Sequence, residues 1–527
     1  MRKVLILLFG ILVMILGIAV CQDQILHGSK FSGARVQGTP SIATMLSYSS
    51  PYCIPNASAP HNYASGTAIG AAWACGDYPT TVPPSLPTAG CPASTGDANT
   101  CTAGYSATTA GLVDPDTGNR ILRVTMDGSL NNTGSGHQWY TQNSGWIKIW
   151  NSDSTKFWFF GDGRMDWVGW EPSTMTLSGQ SGRMPVIAPG TFNFDPSNPS
   201  VFYGLSGATI QKYTIASNGS MSGATALINL NTISGWISGQ AWQAIYMGGN
   251  TIASYSGTSG QGTGRLIATY NVVTTETHML DVGATQATFD GSVISNIDVG
   301  SLNALHSIVV GQDGRYLFVD TGLTAGQTCN TSTAPHNAQF MIDLQTGTAK
   351  QMSPKCDQTH LAVGFDGDVR QSAGYFFNQG CANDSRGLTY RTFLGDFSAG
   401  AYISGCYSGS NNPSTHVSWA NNSGTAKNQA PVFLHQWNSG TGVQCIGCNE
   451  LDAVASTSTQ GSAQVWRFGQ TWASVGSNGC GDAIARSSTI SPNGKYALFA
   501  SDWLGNTGGS GPCPGGRRRD IFIMELK

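Results

Sequence analysis

The chain has 527 residues, of which 40% are hydrophobic and only 10% are charged. An average soluble protein has about 25% charged residues. Coiled coils and helical bundles are richer still in charged residues, so this composition excludes a coiled coil or a helical bundle. The 10% aromatic residues provide enough apolar surface for a folded core, which excludes a disordered chain. The net charge of −3 gives no electrostatic footprint for nucleic acid, so no nucleic-acid partner is expected.

Residues 1–21 are typical of a secretory signal peptide. Arg2 and Lys3 precede an uncharged apolar run, and Ala19 and Cys21 supply small residues at the −3 and −1 positions of a cleavage site. The mature protein is therefore expected to be secreted, extracellular or periplasmic, with no transmembrane segment. Two alternatives stay open: acylation of Cys21 would make a lipoprotein, and an uncleaved segment would act as an anchor.

The cysteine count agrees with export, because 12 of the 13 cysteines remain after cleavage and disulfides persist in exported proteins. Residues 22–111 hold four of these cysteines and many prolines. We expect a loop-rich extension stapled by disulfides of undetermined pairing. The other cysteines are predicted to pair along the chain as Cys329 with Cys356, Cys381 with Cys406, Cys445 with Cys448, and Cys480 with Cys513. The alternative for the Cys-x-x-Cys pair is a redox or metal site.

A repeat begins at about residue 112. In its clearest copies, at 151–160, 311–319 and 491–499, an Asp or Asn turn is followed by an aromatic-rich alternating run, as expected of a turn leading into a β-strand. Seven such turns are spaced by 45 to 71 residues, at Asp153, Asn198, Asn250, Asp313, Asp366, Asn422 and Asn493. Seven units of about four short strands predict an all-β, seven-bladed β-propeller over residues 112–527.

Closure of the ring is also predicted from the sequence. A turn and a short strand around Ile121 precede the first full unit, and the chain ends in another strand at 520–526. A ring needs its ends locked together, so the early strand should complete the last blade. A two-domain sandwich is the alternative, but it would not explain seven turns.

The repeat resembles that of TolB-like bacterial propellers. Segments His416–Trp419, Val465–Phe468 and Ile490–Trp503 are similar to a group of secreted bacterial propellers without an assigned function. A more distant resemblance is to oligogalacturonate lyase, a seven-bladed propeller that holds a divalent metal with histidines and a glutamine on one face. The resemblance implies a fold, and it says little about function because propellers host many chemistries.

Residues six or seven positions before each turn should crowd one mouth of the propeller channel. Those positions are Trp146, Gln243, His306, His360, His416 and Arg486, and the second unit, with its turn at Asn198, is too irregular to assign one. The three histidines, with Gln243, are predicted to hold one divalent metal ion. The alternative is that they bond backbone groups and connect neighbouring blades, and an error of one residue would send a side chain to the opposite face of its strand.

The other candidate site residues are a glutamate near the same mouth and several tryptophans. Glu450 precedes an expected third strand and is a candidate general base. Trp139, Trp242 and Trp419 are candidates for stacking on sugar rings, with Arg486 as a further substrate contact. Buried packing between blades is the alternative role for these tryptophans. The sequence contains no GxSxG, P-loop or HExxH motif.

Two classes of function follow from these patterns. One is a secreted enzyme that acts on extracellular polysaccharide, as a metal-assisted lyase or hydrolase. The alternative is a non-catalytic surface or matrix protein that binds a glycan or another protein. A monomer is expected in both cases. Convergence of the three histidines would favour the enzyme, and histidines directed into blade interfaces would favour the binding protein.

Overall fold

The computed structural model describes two short N-terminal segments and most strands of the region from residue 112 onwards. The described residues are 61–63, 67–69, 112–114, 117–125, 147–161, 164–184, 192–238, 241–257, 265–283, 286–299, 304–322, 339–352, 361–372, 388–395, 397, 401–402, 414–437, 450–456, 465–473, 488–505 and 519–526. All 13 cysteines lie outside these ranges. The predicted bridges and the stapled extension therefore stay predictions.

The described strands form a small hairpin and seven antiparallel sheets. The hairpin pairs β1 (His61–Tyr63) with β2 (Thr67–Ile69). The early strands of the main body are β3 (Leu112–Val113) and β4 (Arg120–Arg123). The next three blades contain, in order, β5 (Lys156–Gly161), β6 (Arg164–Glu171) and β7 (Thr176–Arg183); β8 (Phe192–Phe194), β9 (Val201–Ser206), β10 (Thr209–Thr214) and β11 (Thr225–Asn229); and β12 (Ala241–Gly248), β13 (Thr251–Gly257), β14 (Leu266–Asn271), β15 (Thr277–Val282), β16 (Ala287–Phe289) and β17 (Ser292–Ile294).

Four further blades follow in the same way. Their strands are β18 (Ala304–Val310), β19 (Tyr316–Gly322), β20 (Gln339–Asp343) and β21 (Ala349–Gln351); β22 (Leu361–Val363), β23 (Asp368–Ser372), β24 (Leu388–Thr392) and β25 (Ala401–Tyr402); β26 (Ser414–Ser418), β27 (Val432–Trp437), β28 (Glu450–Val454) and β29 (Val465–Gln470); and β30 (Ser488–Ile490), β31 (Tyr496–Ser501) and β32 (Asp520–Glu525). Short 3₁₀ turns lie at Leu230–Thr232, Gly424–Ala426 and Trp503–Gly505. We number the blades 1 to 7 from β5 to β32.

Each blade places its first strand innermost, and all seven predicted turns connect a first strand to a second strand. In blade 1 the first strand is reduced to a bridge between Trp150 and Phe157. The turn of blade 4 shows the local chemistry: Asp313 Oδ1 accepts a hydrogen bond from Arg315 N at 3.0 Å, and Gly314 adopts a φ of +74°. A Cβ on Gly314 would lie 2.8 Å from the carbonyl oxygen of Gly248 in blade 3. Glycine is therefore required by both conformation and packing.

The ring closes as predicted from the sequence. β4 pairs antiparallel with β32, with Ile121 opposite Met524, so the early strand becomes the fourth strand of blade 7. A buried ion pair reinforces this seam, because Arg123 Nε donates to Asp520 Oδ2 at 2.9 Å. The structure is thus an all-β, seven-bladed propeller.

Apolar side chains between neighbouring blades form the core. The first strands contact one another from β8 through β12, β18, β22 and β26 to β30. Blade 1 joins blade 7 through Trp170 and Tyr496, whose rings meet edge to face at 4.6 Å between centroids. Because each blade buries both of its faces, the strand after a turn can be buried at every residue rather than at alternate residues as expected from the sequence, as in β31, where all six residues are buried.

Blade 3 departs from the four-strand expectation. Its sheet continues into the hairpin β16–β17, and the following segment bonds the outer strand of blade 4, where Gln351 Nε2 donates to Asp298 O at 2.9 Å. The 63-residue interval between the turns at Asn250 and Asp313 accommodates this insertion. The same segment also reaches the backbone of that outer strand, because Asn296 Nδ2 donates to Ala349 O, and it covers part of the strand edge.

Among the described residues, no helix has the length and apolar character needed to cross a membrane.

Candidate functional site

The two faces of the ring carry different parts of each blade. The face that we call the mouth face holds the starts of the first strands, the starts of the third strands and the connections between blades. The opposite face, the turn face, holds the seven turns. This division follows from the antiparallel strand order of each sheet.

A pair of tryptophans lies on the mouth face: Trp236 is in the connection from β11 to β12, and Trp242 is near the start of β12. The rings of Trp236 and Trp242 stack with centroids 5.2 Å apart and planes inclined by 27°. Trp242 is 7% exposed, whereas Trp236 is partly exposed. Trp242 therefore supports the partly exposed ring of Trp236. Trp236 was not among the residues predicted from the sequence.

Hydrogen bonds hold this stack in place. Asn229 caps the 3₁₀ turn by accepting from Asn231 N at 3.0 Å. Asn231 Oδ1 in turn accepts a hydrogen bond from Trp242 Nε1 at 2.9 Å. The predicted contact Trp242 is therefore fixed by its indole N–H, and its ring supports that of Trp236 from one side.

Two of the predicted mouth positions fall at breaks in strand pairing. In β12 the register shifts between Trp242 and Ile245, so Gln243 lies in a β-bulge. In β18 the register shifts between Leu305 and Ser307, which places the backbone of His306 at the equivalent bulge. Bulges redirect side chains and are common beside functional sites. The predicted mouth position is thus irregular in two neighbouring blades.

Gln243 is partly exposed, and its Nε2 donates to Gly257 O at 2.8 Å. The side chain of His306 lies outside the described structure, as do Trp139, Trp146, His360 and Arg486. Their predicted metal and substrate roles stay predictions. In the part of the chain that is described, no group of three or more His, Cys, Asp or Glu side chains lies close enough to hold a metal ion.

His416 is directed into the interface between blades 6 and 7. It is 2% exposed and lies on the same face of β26 as Ser418, whose Oγ lies 3.2 Å from Thr489 Oγ1 of blade 7. Directly opposite, on β27, lies His435, which is completely buried. Burial lowers the pKa of His435 to about 3, so its imidazole is neutral at physiological pH. The position of His416 agrees with the alternative, blade-connecting role.

Two other predicted site residues are also buried. Glu450 is the first residue of β28, at the mouth end as expected, but it is 0% exposed. Trp419 is 0% exposed as well; its Nε1 donates to Ala430 O at 2.8 Å and the Arg370 guanidinium lies 4.6 Å from its ring. In this structure neither side chain is exposed, and Trp419 packs between blades 5 and 6.

A bridge crosses the channel near the turn face. Lys148 of blade 1 donates from Nζ to Gln312 Oε1 of blade 4 at 3.0 Å, and Gln312 Nε2 donates to Trp419 O of blade 6 at 3.2 Å. A side chain that joins blades 1, 4 and 6 must lie across the axis of the ring. Burial lowers the pKa of Lys148 to about 8. Access to the channel is therefore favoured from the mouth face.

The comparisons with known proteins concern the fold. No family model and no curated protein matches the chain. The solved structures that match include oligogalacturonate lyase from Vibrio parahaemolyticus (14% identity, 79% of this chain and 96% of that chain, TM-score 0.33) and TolB from Acinetobacter baumannii (11%, 80% and 83%, TM-score 0.30). The Swd1 β-propeller domain from Myceliophthora thermophila also matches (11%, 74% and 100%, TM-score 0.32). A TolB and an oligogalacturonate lyase, the two kinds of propeller that the repeat resembles, are thus among the solved structures that match.

Proposed function

We propose that the protein is an exported, non-catalytic propeller that binds extracellular polysaccharide or surface glycan on its mouth face. The observation that carries this proposal is the Trp236–Trp242 stack, with one ring partly exposed and the other held behind it. An indole presents a broad apolar face, which suits the apolar face of a sugar ring. The 10% charged content of the chain favours a neutral glycan.

Neutral hydrogen-bonding groups surround the stack. Asn231 is exposed beside it, and Gln243 follows Trp242 in the bulge. Side-chain amides both donate and accept hydrogen bonds, as sugar hydroxyls do. Because the stack is already held by Asn231, binding would cost little side-chain ordering. Cleavage of residues 1–21 and pairing of the 12 remaining cysteines belong to the same proposal, since a glycan-binding protein must be exported to meet its ligand.

The experiment compares glycan binding by three forms of the protein on an array of neutral and anionic polysaccharides, followed by calorimetry on the best ligand. Trp236→Ala should weaken binding at least about 10-fold, which corresponds to about 1.4 kcal/mol. Phe365→Ala is the matched control, because Phe365 is a partly exposed aromatic residue on the turn face. Equal affinity of the Trp236 variant and the wild type would reject the proposed site.

A second candidate function is a metal-assisted lyase or hydrolase acting on the same class of ligand. The observation in its favour is the coincidence of β-bulges at Gln243 and His306. With His360, these residues would hold one divalent ion at the mouth. Release of unsaturated or reducing ends from a bound polysaccharide, abolished by a chelator and by His360→Ala, would support it. Binding of the polysaccharide without release of any product would support the non-catalytic, glycan-binding function instead.

A further inference from the structure

The interface between blades 6 and 7 contains a cross-strand pair of buried histidines. His416 on β26 and His435 on β27 are register partners, so their side chains project from the same face of the sheet. Phe433 lies two residues before His435 on that face and packs in an apolar cluster with Ile490 and Phe499 of blade 7. Both imidazoles therefore face blade 7.

A serine of blade 7 faces the pair. Ser488 on β30 is the register partner of Phe499 and lies two residues before Ile490, so its side chain projects towards blade 6. The two first strands run in the same direction, and Ile490 N donates to Ser418 Oγ at 3.4 Å. Ser488 lies two residues before Ile490, and His416 lies two residues before Ser418. Ser488 and His416 are therefore at the same height along their two strands.

Two of these residues, His435 and Ser488, leave hydrogen-bonding capacity unused. Among the residues that the structure describes, both ring nitrogens of His435 and the hydroxyl of Ser488 have no hydrogen-bond partner, although the two residues are 0% and 2% exposed. Leaving a buried polar group unsatisfied destabilises the folded state. Buried polar atoms of this kind indicate a water molecule or an ion at the site.

We propose that a divalent transition-metal ion of the zinc class binds between blades 6 and 7, held by the imidazoles of His416 and His435, with the Ser488 hydroxyl facing it. Directly opposed residues on antiparallel strands have Cβ atoms about 4.5–5.5 Å apart, which lets two imidazoles converge on one ion. Zinc–nitrogen bonds of about 2.0–2.1 Å then place the two ligating nitrogens roughly 3.3 Å apart. Neutral imidazole is a preferred ligand of Zn²⁺ and Cu²⁺.

The site is a two-histidine site, because no third His, Cys, Asp or Glu joins it within the described structure. The remaining coordination positions go to Ser488 or to water. It shares no ligand with the metal site of the second candidate function, and it does not depend on glycan binding. Its effect would be to join blade 6 to the closing blade.

The test is a metal titration of chelator-treated, full-length mature protein. Calorimetry with Zn²⁺ should show one equivalent bound by the wild type, and His435→Leu should weaken it at least about 10-fold, as for loss of a ligand. The control variant is His278→Ala, because His278 contacts Asp290 in blade 3. This variant should bind Zn²⁺ with the affinity of the wild type. The double variant His306→Ala, His360→Ala should also retain the ion, which separates this site from the mouth.

A spectroscopic readout guards against misfolding of a variant. Cu²⁺ bound to the wild type should show two nitrogen ligands in its electron paramagnetic resonance spectrum, and His416→Leu should show one. Zn²⁺ should raise the melting temperature of the wild type and leave that of His435→Leu unchanged. The absence of Zn²⁺ or Cu²⁺ binding to the wild type, or unchanged binding to both leucine variants, would overturn the proposal and leave an ordinary buried water.

Discussion

Truncation of Asp520 removes one half of the buried ion pair that reinforces the seam of the ring. The Asp520 carboxylate is 0% exposed and accepts from Arg123 Nε at 2.9 Å, and Thr125 Oγ1 lies 3.3 Å from its second oxygen. Arg123 is itself 6% exposed. Asp520→Ala therefore leaves a guanidinium charge in a site that water reaches poorly.

The expected loss in unfolding free energy is about 3–5 kcal/mol, the cost of removing one partner from a buried pair. Replacing both partners, as Arg123→Met with Asp520→Leu, removes the uncompensated charge and should recover much of this loss. The matched control is Asp281→Ala, because Asp281 pairs with Arg265 at 2.8 Å on the surface of blade 3. That exposed pair should contribute only about 0–1 kcal/mol.

Urea unfolding monitored by tryptophan fluorescence, under non-reducing conditions, measures the wild type and all three variants. Equal losses for Asp520→Ala and Asp281→Ala would refute the reasoning, because burial would then make no difference to the pair. A double variant as unstable as Asp520→Ala would show that the seam depends on the polar geometry itself.

Three further expectations can be checked on the same preparation. Gly314→Ala should destabilise the protein by more than about 1 kcal/mol in urea unfolding, since φ is positive and the added Cβ would meet Gly248 O; no change would show that the turn relaxes. Because burial lowers the folded-state pKa of His435 to about 3, metal-free protein should lose stability as the pH falls from about 6.5 towards 3. His435→Leu should flatten that pH dependence, and parallel profiles would contradict this. Thiol titration of the denatured, unreduced mature protein should find no free thiol among its 12 cysteines, and several reactive thiols would reject export and pairing together.

The sequence predicted the parts of the fold that depend on local signals. The turn at Asp313 combines an Asx hydrogen bond with a positive-φ glycine, and both are visible in the residue types. The closing strand at Ile121 could be predicted because an open ring leaves two strands unpaired. The hairpin β16–β17 was not predicted, since its short strands resemble ordinary loop residues.

The site was less predictable because it depends on contacts distant in sequence. The bridge from Lys148 to Gln312 joins residues 164 positions apart and has no local signature. Trp236 lies in a connection between blades, where the repeat pattern gives no position for it. His435 lies on a second strand, so a search restricted to first strands missed the partner of His416.

Strand pairing explains why the predicted mouth residues separate into two groups. Successive side chains on a paired first strand face the two neighbouring blades alternately, and a bulge breaks that alternation. The pairing of β26 with β27 runs without a register shift through His416, whereas β12 shifts register at Gln243.

A glycan at the mouth should therefore meet Gln243 and should not meet His416. Gln243→Ala should weaken glycan binding about 2- to 10-fold, the loss of one neutral hydrogen bond, while His416→Ala leaves the affinity unchanged. Calorimetry with the best ligand from the polysaccharide array measures the affinity of both variants. A larger loss of affinity for His416→Ala than for Gln243→Ala would show that the histidine reaches the channel.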